Sequence, residues 1–164
     1  MPTKTIVFAL VTFLHDLFTA IWIGGLITLG LTVLPTVKKE LGKGPQTKKL
    51  MNAIQKRQGA FIYVSMVGLV LTGLLQANRS PEFQGLFSFG NAYSTILTIK
   101  HILVVAMIAI ALYRSLVLGR KSGASTPNQE KLKAGLLMVN IVLGIAILLL
   151  SGFSAAPSSG ILLS

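Results

Sequence analysis

The chain alternates long apolar runs with short polar, mostly basic punctuation. A hydrocarbon core of ~30 Å needs ~20 largely apolar residues in helical form. Four runs meet that length, at about 5–37, 60–77, 92–118 and 134–153. The pattern predicts an all-α fold: a four-transmembrane-helix bundle forming a single membrane domain over residues 1–164. The first run is too long for the ~7–15-residue core of a secretory signal, so it reads as a retained helix. At ~1.5 Å rise per residue it also exceeds the bilayer, so it must tilt, kink or project. Pro35 marks the place for a bend or stop.

Between the runs, Lys38 to Arg57 reads as a loop punctuated by Gly42, Gly44 and Pro45, with an interfacial helix from Gln46 onward. Asn78 to Asn91 carries Pro81 and the aromatic Phe83, Phe87 and Phe89, and Gly119 to Lys133 holds Gly123, Pro127 and Asn128. Composition agrees with a lipid environment: 52% of residues are hydrophobic and only 12% charged, where a soluble domain has ~25% charged. The net charge is +11. Lys38, Lys39, Lys43, Lys48, Lys49, Lys56 and Arg57 fall between the first two runs, and Arg114, Arg120, Lys121, Lys131 and Lys133 around the third loop. Twelve of the 15 basic residues therefore flank one side of the membrane, leaving Lys4, Arg79 and the intramembrane Lys100. Positive loops stay cytoplasmic, which predicts both termini outside and a multi-pass protein of the plasma membrane. The charge is then a topology signal with anionic lipid as its partner, and nucleic acid is excluded. With no cysteine, disulfides, thiolate metal sites and cysteine nucleophiles are excluded too.

Ionisable groups inside a span are costly and mark function by default. His15 and Asp16 lie on the first run, Lys100 and His101 on the third, and polar Asn140 on the fourth. The only two histidines each follow the start of a parallel run by about nine or ten residues, which puts both at ~14–15 Å depth. Thr12, Thr19 and Trp22 share the helical face of His15, which predicts a polar and aromatic stripe turned into the bundle.

Three readings fit that pair. A haem b between the first and third helices would take His15 and His101 as axial ligands, with Lys100 and Arg79 neutralising its propionates and Thr12, Thr19 and Trp22 lining the pocket. It would serve electron transfer or small-molecule redox chemistry; an enzyme of this kind would be a haem-dependent membrane oxidoreductase. Its partners would be an electron donor or acceptor protein or a quinone, and a homo-oligomer is compatible. Alternatively the imidazoles bind or pass copper, serving transport or tolerance without catalysis; imidazole suits Cu(II), whereas Cu(I) transit favours sulfur ligands. In the third reading the histidines only hydrogen-bond across helices and Asp16 pairs with Lys100.

His15, the run Trp22-Ile23-Gly24-Gly25 and then Leu34-Pro35 resemble the first helix of CopD-type copper-resistance membrane proteins. Arg57, Leu71-Thr72-Gly73-Leu74-Leu75 and Thr98-Ile99-Lys100 continue the likeness in order, over about residues 10–118. That resemblance implies a four-helix membrane module concerned with copper. CopD proteins are distantly similar to HemJ, a membrane protoporphyrinogen oxidase with a His on its first helix and a Lys on its third. His15 and Lys100 stand at those positions, and the likeness implies haem b.

Overall fold

The computed structural model describes residues 3–77, 83–119 and 126–155. These are helical apart from short connections, with no strand among the described residues. Among the described residues four helices are long and apolar enough to cross a membrane: α1 (Thr3–Leu41), α2 (Pro45–Ala77), α3 (Ala92–Leu118) and α4 (Pro127–Ala155). The chain divides into two compact units, Met1–Gln76 and Ala77–Ser164.

The first unit is a helical hairpin. Pro35 does not end α1. The stretch Thr28–Val33 before it widens to π-helical geometry, which accommodates a residue without an N–H, and the helix continues to Leu41. Gly42 then turns the chain at φ +66°, a conformation suited to glycine. Buried Thr47 donates its hydroxyl to the Leu41 carbonyl at 3.1 Å and ties the two helix ends together. The expected loop from Lys38 to Arg57 is thus corrected to a turn of three residues, 42–44. The reason is local: Lys, Gln and Glu are good helix formers, so leaving the apolar run does not end the helix. Pro45 starts α2 at a first-turn position where its missing N–H costs nothing.

Register along this hairpin is fixed by three contacts. His15 meets Thr72, the Phe18 ring fills the space beside Gly68, and Gln58 donates its amide to the Gly25 carbonyl. Ile6, Val7, Leu10, Phe13 and Leu17 remain exposed on α1, an apolar face suited to lipid.

In the second unit, α3 is capped by Asn91, whose Oδ1 accepts the Ser94 N–H at 2.7 Å. The segment before the cap folds onto the first turns of α3. Ser88 N–H donates to Thr98 Oγ1, and the Thr98 hydroxyl donates back to the Ser88 carbonyl, both at 3.0 Å. Gln84 N–H reaches Ser94 Oγ at 3.3 Å. Helices α3 and α4 pack together with Met107, Leu137 and Ile141 buried. Asn140 is fully buried and donates Nδ2 to the Met107 carbonyl at 3.4 Å, an interhelical hydrogen bond.

Candidate metal-binding histidines

His15 is half-buried on α1, and its Nδ1 lies 2.9 Å from Thr72 Oγ1 on α2. The direction of that bond follows from the hydroxyl. Thr72 has one hydroxyl proton, and the Gly68 carbonyl one turn back takes it at 2.7 Å. The Thr72 oxygen therefore accepts, and His15 Nδ1–H donates. A neutral His15 is then the Nδ1–H tautomer, with its lone pair on Nε2. A second-sphere oxygen holding one ring nitrogen is the usual arrangement of a metal-ligating imidazole. Gly73 leaves room beside the ring: a Cβ there would stand 3.6 Å from His15 Cε1, an ordinary contact.

The other α1 residues of the anticipated stripe divide. Thr19 is half-buried and turns its hydroxyl back to the His15 carbonyl at 2.8 Å, so it bonds the backbone of its own helix. Trp22 is buried, 1% exposed. Thr12 is exposed, which corrects its expected place on a stripe turned into the bundle, and Asp16, outside that stripe, is exposed as well.

In the second unit, Lys100 and His101 are half-buried. His101 Nδ1 stands 2.8 Å from the Leu97 carbonyl, which can only accept, so Nδ1 carries the proton that donates. The Phe87 ring lies 6.4 Å from that of His101 at a 54° tilt, placed there by the Ser88–Thr98 clasp. Arg79 falls outside the described residues. Among the described residues no three His, Cys, Asp or Glu side chains come together in a group that could hold a metal ion.

Two residues of this geometry carry no site role in the sequence pattern. Thr72 stands in the sequence as part of the Leu71-Thr72-Gly73-Leu74-Leu75 stretch of the CopD likeness, with no site role, yet Gln58, Ser65 and Thr72 recur at seven-residue spacing, the mark of one polar stripe on α2. Phe87 lay in a segment with no periodicity to read.

A family model described as copper resistance protein D, CopD, matches residues 53–154, more than half of the chain. The matched segment begins in α2 and runs through α4, so it contains Thr72, Lys100 and His101 and starts after His15 and Trp22. No curated protein and no solved structure matches the chain.

Proposed function

The chain belongs to the copper resistance protein D family, and from that membership we propose that this multi-pass membrane protein handles copper within the bilayer, with His15 as the residue that meets the ion. The observation that carries the reading is the Nδ1–H bond from His15 to Thr72. It directs the Nε2 lone pair away from its own anchor and holds the ring in a ligating tautomer before any metal arrives. Imidazole is a good Cu(II) donor, and the chain offers no thiolate to compete with it. In this reading copper is cargo and the chain is a binding or transport protein rather than a catalyst.

A second reading, haem b, is favoured by the donor set. A porphyrin supplies four nitrogens of its own, so a single imidazole can complete its iron. The Nδ1–H tautomer of His15 puts its lone pair on Nε2. His15 would hold the iron. The group would supply one-electron redox chemistry when bound.

The purified protein in detergent, titrated with Cu(II) and followed by optical and electron paramagnetic resonance spectra, tests the proposal. Stoichiometric copper with nitrogen hyperfine structure, lost in His15→Ala, supports copper handling. A Soret band that shifts on dithionite reduction and disappears in His15→Ala supports haem instead. Copper uptake unchanged in His15→Ala sinks the assignment of His15.

A further inference from the structure

The α1–α2 hairpin has two facing stripes. On α1 the stripe is His15, Phe18, Trp22 and Gly25, spaced by three and four residues. On α2 it is Gln58, Ser65, Gly68 and Thr72, spaced by seven, three and four. Contacts at His15–Thr72, Phe18–Gly68 and Gly25–Gln58 confirm that these stripes meet. Trp22 lies between the second and third of those contacts on one helix, and Ser65 lies between them on the other. Both are 1% exposed.

Neither polar atom has a partner among the described residues: Trp22 Nε1 and Ser65 Oγ are buried and unbonded. Indole N–H can only donate, while a serine hydroxyl can donate and accept. The helical turn that carries Trp22 is itself irregular. The turn Ala20–Gly24 has π-helical geometry, and the Gly25 N–H is shared between the Ile21 and Trp22 carbonyls. Each of those oxygens has acceptor capacity in hand. Such widened turns concentrate at functional positions.

We propose that Trp22 and Ser65 hold an internal water molecule between α1 and α2, accepting from the indole N–H and bonding the serine hydroxyl. A buried water is stable where two to four polar groups hold it, and the indole N–H and the serine hydroxyl supply two. Bulk water is absent at bilayer depth, so both groups otherwise stay unpaired where no solvent can satisfy them. The arrangement has a place in the seam: the water sits on the Gln58 side of Phe18, with His15 and Thr72 on the other. It stands whether or not His15 binds a metal.

The chain's single tryptophan makes the test direct. With uniformly ¹⁵N-labelled protein in detergent, one indole Nε1–H signal belongs to Trp22. The expected result is an exchange or nuclear Overhauser cross-peak from that proton to water, reduced by more than half in Ser65→Ala and retained in Ser65→Thr. Circular dichroism checks that both variants fold. A cross-peak to detergent or lipid protons in place of water overturns the proposal in favour of an amphiphile oxygen. A wild-type indole proton with neither cross-peak overturns it outright, as does a water cross-peak of equal strength in Ser65→Ala. The wild-type readout stands even if a variant fails to fold.

Discussion

The His15 imidazole donates Nδ1–H to the Thr72 hydroxyl across 2.9 Å, joining residues 57 apart in sequence and two helices of the same hairpin. The same hydroxyl donates to Gly68 one turn back, so the orientation of His15 is anchored through a side chain to the backbone of α2. Removing the hydroxyl frees the ring to flip or change tautomer. Second-sphere losses of this kind lower metal affinity by about 10–100-fold. Thr72→Val, nearly isosteric, should weaken Cu(II) binding by that factor, while Thr72→Ser should bind within about threefold of wild type. Copper titration of the three proteins side by side provides the check. Equal affinity for valine and threonine at this position would show that the hydroxyl does not orient the ligand.

Phe18 and Gly68 illustrate close packing without polarity. The Phe18 ring occupies the space that any side chain at residue 68 would take. Gly68→Ala should therefore overpack the hairpin and cost about 1–3 kcal/mol. Thermal unfolding in detergent should show the loss. The double variant with Phe18→Leu should recover part of it, because the smaller side chain vacates that space. A Gly68→Ala protein as stable as wild type contradicts this packing.

The four spans were legible because bilayer thickness imposes a length that composition alone reveals. Helix ends were not legible in the same way. Lys38, Lys39 and Glu40 look like loop residues beside an apolar run, yet nothing in them opposes a helix, and only Gly42 with its positive φ stops α1. Pro35, expected to bend or stop the helix, does not stop it, because the preceding turn widens to take a residue without an N–H. The histidines were legible as costly intramembrane groups. Their tautomers were not, since these depend on Thr72 and the Leu97 carbonyl, one on another helix and one in the backbone. The likeness to CopD proteins was read mainly from residues 10–118, whereas the matched segment is 53–154 and includes α4. A helix that reads only as hydrophobic can still carry a family pattern.

Thr98 holds the segment before α3 through both of its hydrogen-bonding functions. It is 1% exposed, so valine would fill the space but leave the Ser88 N–H and carbonyl unpaired at that point. Thr98→Val should destabilise the protein by about 1–3 kcal/mol. Its signature should be local: amide exchange accelerates across residues 84–90, while the middle of α3 keeps wild-type protection. Thr98→Ser retains the hydroxyl and should retain the protection. Uniform acceleration along α3 would mean that the clasp supports the helix rather than the segment preceding it.

Asn140 predicts the opposite outcome from the usual cost of removing a buried polar group. Its bond to the Met107 carbonyl is long at 3.4 Å, and its Oδ1 is buried with no partner among the described residues. Leucine at this position gives up a weak bond and removes an unpaired oxygen, so Asn140→Leu should lie within about 1 kcal/mol of wild type, on the stabilising side. Asn140→Asp puts a carboxylate in the same place and should be severely destabilising at neutral pH. Unfolding midpoints of the two variants should therefore fall on either side of the wild-type value. Strong destabilisation by leucine would assign the amide a larger share of the α3–α4 contact than its geometry supports.

The basic segments carry the last prediction, which concerns orientation. The turn containing Lys43 and the start of α4 at Asn128 both belong to the strongly basic ends of their helices, and positive ends remain on the cytoplasmic side. The segment carrying Phe89, 69% exposed, precedes α3 and should face the opposite side. Because the chain has no cysteine, one introduced thiol is the only site a maleimide can label. Lys43→Cys and Asn128→Cys should resist a membrane-impermeant maleimide in intact cells and react in inside-out vesicles. Phe89→Cys should react in intact cells and be protected in those vesicles. Labelling Lys43→Cys and Asn128→Cys from opposite faces would break the four-span topology, because α2 and α3 between them return the chain to its starting side.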